Sequence, residues 1–277
     1  MRCQTAVAAT LLASLLAACA GGRTSGSGRP DPTVADLLAG VLPADALLLG
    51  EQHDAPDHPR WQHAAVAALA AQGRLAALAL EMAPAGTSTA GLAPDADDPA
   101  VQAALRWDAR AWPWSRYGPV VMTAVRAGVP VLGANLPQEG NRNAMLNIAL
   151  DDHLTPGMWQ KQQKSIREGH CGLLPEARIV PMTRVQIARD AAMAATVLSA
   201  RQPGRTVLLI AGNQHVDRTM GVPTHLGAAI AARSVALRPA GMAAPAVDKV
   251  WATAAVPAVD HCAALRRQWG SNAASPR

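Results

Sequence analysis

Apolar residues run in short unbroken blocks along this chain, and the longest blocks stop at a glycine or at a polar side chain. Leu47-Leu48-Leu49 closes on Gly50-Glu51-Gln52-His53, and Val207-Leu208-Leu209-Ile210-Ala211 closes on Gly212-Asn213-Gln214-His215. Leu75 to Leu80 ends at Glu81-Met82, and Val129 to Ala134 ends at Asn135. A short continuous apolar run bounded by such residues predicts a parallel strand covered on both faces. Between the runs, Val34 to Val41, Trp61 to Ala71, Val101 to Trp107, Pro119 to Ala127 and Met182 to Ala200 carry helical spacing, and Asp57-His58-Pro59 supplies a helix start. Beyond His215 the pattern predicts a helix over Gly227 to Arg233, a strand over Val235 to Leu237 and an edge strand over Val250 to Thr253. This alternation predicts an α/β fold, a mostly parallel sheet flanked by helices with right-handed crossovers. No strand pattern stands between Asn141 and Ala200, so 141–200 is expected to form a smaller inserted helical subdomain.

Polar residues just past the carboxyl ends of such strands sit where open α/β sheets bind ligands. Glu51, His53, Glu81 and His215 are therefore the candidate set. Imidazoles and carboxylates are the usual protein ligands of zinc and related divalent metals, and they also serve as general acids and bases. Each taken alone can equally cap a helix or stay in water. Recurrence of G-x-x-H at two strand ends points to one shared pocket.

The amino terminus changes where such a site would work. Arg2 followed by the apolar stretch Ala6 to Ala17 and by Leu16-Ala17-Ala18-Cys19 reads as a bacterial lipoprotein signal with its lipobox. The expected organisation is a signal peptide over 1–18, lipidation at Cys19, a Gly/Ser/Arg-rich flexible tether over 19–32, the α/β domain over 33–265 and a tail over 266–277. That places the protein in the bacterial envelope, facing the periplasm or the cell surface, anchored to a lipid bilayer through Cys19. With Cys3 removed and Cys19 lipidated, Cys171 and Cys262 remain. In an oxidising compartment they are expected to pair, the alternative being thiolate ligation of a metal. The formal charge of +5 is spread singly along the chain. A dedicated nucleic-acid-binding face, which needs clustered Lys and Arg, is not expected.

Aromatic residues are uneven. There is no Phe and one Tyr, yet Trp107, Trp112, Trp114 and Tyr117 fall within eleven residues. The segment reads either as a platform for a planar ligand or as ordinary core.

Taken in order, Gly50-Glu51-Gln52-His53-Asp54, Glu81-Met82, Tyr117-Gly118-Pro119, Asn135, Arg189-Asp190 with Met193-Ala194, and Gly212-Asn213-Gln214-His215 with Gly221-Val222-Pro223 resemble the ChaN family of haem-binding lipoproteins. That family belongs to a wider group with the Tiki proteases and erythromycin-esterase-like proteins. The resemblance implies ferric haem as cofactor, a homodimer formed on haem binding, a role in haem or iron uptake, and an outer-membrane haem receptor as a partner. It implies Tyr117, the tyrosine that matches the family's motif, as the iron ligand; it is also the one tyrosine of the chain. It also implies a histidine and a lysine from the partner subunit near the propionates, for which His170 and Lys164 are the candidates. A phenol with an ordinary pKa of about 10 is a poor iron ligand, so such a site must favour phenolate, with Arg116 as the nearby cation. The wider group implies an alternative, a Tiki-like metal-dependent hydrolase. There His53 and His215 with a glutamate hold a divalent metal, and the other of Glu51 and Glu81 acts as general base on bound water.

Overall fold

The computed structural model describes residues 32–257, 260–263 and 265–267. The signal peptide, Cys19, nearly all of the tether and most of the tail lie outside the described residues. The first helix, α1 (Val34–Leu38), is started by a capping box in which Thr33 and Asp36 each accept from the other's backbone N–H. There follow β1 (Ala46–Glu51), α2 (His58–Ala71), β2 (Leu75–Pro84), α3 (Asp98–Ala104), α4 (Trp114–Arg126) and β3 (Val131–Asn135). A helical stretch holds α5 (Gly140–Leu146), α6 (Pro156–Gly169) and α7 (Ile179–Ser199), with short 3₁₀ turns between them. The chain then forms β4 (Thr206–Gly212), α8 (Pro223–Leu226), β5 (Ala232–Pro239) and β6 (Lys249–Thr253).

The six strands form one sheet in the order β3-β2-β4-β1-β5-β6, and every pairing is parallel. Because β4 inserts between β1 and β2, the strand order switches direction at the centre, where ligands of open α/β sheets bind. Leu48 lies opposite Leu209 and Glu51 opposite Gly212, so the two G-x-x-H segments leave the sheet side by side.

Alternate residues of each strand feed two cores. Leu47, Leu49, Leu78, Leu80 and Leu208 pack with Trp61, Val66, Val121 and Val125 of α2 and α4. The other face presents Ala46, Leu48, Ala77, Ala79 and Leu209 to Met193, Ala194 and Val197 of α7. The alanines make this side shallow and suit a long helix lying close on the sheet. For that reason α7 covers the sheet itself, and the expected subdomain at 141–200 is a layer of the α/β unit as much as an insertion. Among the described residues, no helix is long and apolar enough to cross a membrane.

Two expectations are corrected. Gly227 to Arg233 is not a helix. Gly227 adopts φ +71, which ends α8 after one turn, and Ala232 and Arg233 are drawn into β5 by pairing with Ala46 and Leu47. The third helix starts earlier than Val101, because Asp97 caps it by accepting from the N–H of Ala100. Of the two readings open for the tryptophan segment, the structure supports the core one: Trp107, Trp112 and Trp114 pack, half-buried, against the cluster that holds Tyr117. Trp107 stacks edge-on with Trp114 at 5.0 Å and tilts against Tyr117 at 5.9 Å, while the Trp107 and Trp114 indole N–H groups donate to the Trp112 carbonyl and to Asp98.

Cys171 and Cys262 form the expected disulfide, with 5.5 Å between their Cα atoms. It ties the segment just after α6 to the carboxyl-terminal segment bearing His261.

Candidate functional site at the carboxyl edge of the sheet

Glu51 ends β1 and is buried, and four neighbours use its two oxygens. The imidazole Nδ1 of His53 lies 2.8 Å from one, to which the hydroxyl of Tyr117 on α4 also donates at 2.6 Å. The other accepts from the Gln62 amide at 2.5 Å, with the Arg116 guanidinium at 3.6 Å. Arg116 is fixed in turn by donating to the Ala55 carbonyl at 2.8 Å. Glu51 is thus an anchor behind His53 and has no side left for a ligand.

The second motif repeats this construction with one change. Asn213 stands where the first motif has Glu51, and the carboxylate comes instead from Asp190 on α7, 2.6 Å from Nδ1 of His215. Each imidazole is therefore held at Nδ1 by a carboxylate, leaving Nε2 to face forward. Both Nε2 atoms face Glu81, that of His215 at 3.5 Å and that of His53 at 3.9 Å. Glu81 also accepts from the backbone N–H of Gly212 at 2.6 Å.

The glycines of the two motifs are required by each other. A Cβ on Gly50 would lie 2.5 Å from Val216 and 2.7 Å from Asn213, inside the second motif's loop. A Cβ on Gly212 would lie 3.0 Å from Nε2 of His53. The recurrence seen in the sequence is thus a packing relation, each glycine making room for the other motif.

Charge follows this arrangement. Burial alone would lower the pKa of His215, but Glu81 and Asp190 overcome it and hold the imidazolium up to about 10. Burial works against ionised Glu81 too, yet His215, His53 and the Gly212 N–H bring it down to about 2. Asp190 is pushed up to about 6, because burial outweighs the help of His215. His53 is raised: burial would lower it, and Glu51 and Glu81 reverse the sign. The stability His215 contributes is therefore complete below about pH 6.5 and is lost as pH rises toward about 10. Melting temperature is expected to fall across that interval in the wild type, and to fall less in His215→Gln; parallel profiles for the two proteins would refute the coupling.

Tyr117, the expected iron ligand, is placed on α4 with its hydroxyl toward Glu51. Its side chain is 0% exposed and its hydroxyl is bound to Glu51. Burial raises its pKa well above the ordinary phenol range, Glu51 raises it further, and Arg116 opposes this only in part. Iron ligation needs phenolate, and this environment favours the neutral phenol. His170 caps α6, its Nδ1 lying 2.8 Å from the Ile166 carbonyl, and Lys164 is exposed beside Glu168 at 3.7 Å. Neither lines the cleft described next.

The metal expectation asked Glu51, His53, Glu81 and His215 to meet at one point. They do come together, but Glu51 sits behind His53. Among the described residues no group of three or more His, Cys, Asp or Glu is placed to hold a metal ion.

A cleft of about 720 Å³ opens on the exposed side of the motifs, within the ordinary size of a small-molecule site. Its walls include His53, His215, Arg238, Met242 and His261. His53 is 41% exposed at its side chain and packs edge-on against Trp112 at 4.9 Å. His261 is paired with Asp54 at 3.1 Å. Gln62 is a part of the site that the sequence reading did not single out. Asp190 stood in the ordered motif set and Trp112 in the tryptophan segment, but neither was assigned to these histidines.

The fold and this geometry define a class: a parallel α/β protein with a ligand cleft at its central switch point, floored by paired histidine–carboxylate groups. Within that class, the family described as haem-binding uptake, Tiki superfamily, ChaN matches residues 37–226, and the chain belongs to it. Among solved structures the fold is similar to that of ChaN from Campylobacter jejuni, described for its cofacial haem binding. Identity to it is 23%, covering 78% of this chain and 89% of that one, with a TM-score of 0.62. The type III effector HopBA1 shares 15% identity over 82% of this chain and 96% of its own, with a TM-score of 0.44. No curated protein is matched.

Proposed function

We propose that this chain is an envelope haem-binding protein that takes ferric haem in the cleft beside His53. The carrying observation is the donor set of that cleft. Imidazole and thioether groups are the haem-iron ligands that proteins commonly supply, and His53, His261 and Met242 line one cavity with Arg238. Met242 is 45% exposed there, and the Arg238 guanidinium suits a propionate. Family membership supports the same ligand. Bound haem would supply iron for transport. The work of the chain is to orient His53 through Glu51 and to offer a charged partner at the rim.

Attachment to an envelope membrane through Cys19, dimerisation around haem and exchange with an outer-membrane receptor complete the proposal. The cofacial binding described for the Campylobacter protein supports the dimer. Ferric haem titrated into the tether-truncated protein is expected to give a saturable absorption change, with sedimentation shifting from monomer to dimer. Tyr117→Phe is expected to keep that spectrum, whereas His53→Ala or His261→Ala alters it. Loss of the spectrum in Tyr117→Phe alone would return the iron to the phenol, and non-saturable binding in the wild type would remove the haem reading.

A further inference from the structure

A second cleft, of about 500 Å³, lies at the carboxyl ends of β2 and β3, on the other side of Glu81 and Trp112 from His53. Its walls carry two arginines, Arg106 and Arg189, and the amides of Asn135 and Asn141. Neither arginine side chain makes a hydrogen bond or ion pair among the described residues, and the Arg189 Nε atom is buried without a partner. The amide oxygens of Asn135 and Asn141 are likewise buried and unpartnered. Three orphaned polar groups from three different elements thus border one cavity.

The carboxylates of this cleft are already engaged or peripheral. Glu81 is held by Gly212, His215 and His53, and Asp108 accepts from the backbone N–H groups of Arg110 and Ala111. Glu139 stands exposed at the rim. Arg106 is also unusual in its backbone. It has φ +46 at the end of α3, where the N–H of Trp107 bonds back to the Gln102 carbonyl, a position that favours glycine. An arginine there accepts a backbone cost that glycine would avoid, and its side chain borders the cleft.

We propose that this second cleft binds a small carboxylate that carries a hydroxyl or ammonium donor next to the carboxyl group. An unpaired guanidinium on a partly buried wall is completed best by a carboxylate, which can take two parallel N–H bonds. The unpartnered oxygens of Asn135 and Asn141 call for a donor from the same ligand, which a simple anion lacks. The site is independent of the haem reading. Arg189 precedes Asp190 on α7, so a ligand here would touch the residue next to the one that holds His215.

The test is calorimetric titration of the purified protein with L-malate, L-alanine and succinate. Malate or alanine is expected to bind saturably and more tightly than succinate. Arg189→Gln is expected to weaken that binding about tenfold or more, the usual result of losing a charge-assisted hydrogen bond. Arg106→Gln tests the same pocket from an exposed position that leaves α7 untouched, and is expected to weaken binding as well. Absence of saturable binding to all three probes, affinity for succinate equal to the best of the others, or wild-type binding in both folded variants would each overturn the proposal.

Discussion

Replacing Cys171 and Cys262 together by serine is expected to lower the unfolding free energy by about 4–5 kcal/mol, read from denaturant midpoints under oxidising conditions. The two cysteines are 91 residues apart, and a crosslink closing a loop of that size removes much of the freedom of the unfolded chain. The bridge also joins the end of α6 to the segment that carries His261, a wall of the first cleft. Haem affinity should therefore fall along with stability. A midpoint shift equivalent to less than about 1 kcal/mol would show that native packing alone positions that segment, against the entropic account.

Removing Glu51 is expected to cost nearly as much. In Glu51→Ala, His53, Tyr117, Gln62 and Arg116 lose their common acceptor, and the Arg116 charge, with 16% of its side chain exposed, is left without its carboxylate. Breaking one side of a buried ion pair costs about 3–5 kcal/mol, because the remaining partner stays desolvated. Tyr117→Phe removes only one donor and should cost about 1.5–3 kcal/mol, the range for a hydrogen bond to a charged group. The order matters more than either value: Glu51→Ala must be the more destabilising of the two in thermal denaturation. The reverse order would mean that Glu51 does not anchor the cluster, the cost of burying its carboxylate offsetting what its four partners return.

The core strands were readable because both faces of a buried parallel strand are apolar, so Leu47 to Leu49, Leu75 to Leu80 and Val207 to Ala211 stand out as unbroken runs. The same local reading failed at Gly227 to Arg233. Four alanines and an isoleucine favour a helix there by propensity, and pairing with β1 overrode it. The candidate set was legible in part. Glu51, His53, Glu81 and His215 all reach one place, because each follows or ends a strand of the same sheet and lies at the same edge. Their division of labour was not legible. Whether Glu51 faces a ligand or anchors His53 depends on Gln62 of α2 and on Arg116 and Tyr117 of the more distant α4.

Local apolar pattern and residues adjacent in the chain were enough to read the strand cores, the paired G-x-x-H ends and the family to which they belong. Packing between distant elements is what makes Tyr117 a buried donor, lets Asp190 complete His215, and sets Arg106, Asn135, Asn141 and Arg189 around a second cleft. Burial and partner choice are set by which helix packs over which strand end. No local pattern encodes the desolvation that gives each charged group its role.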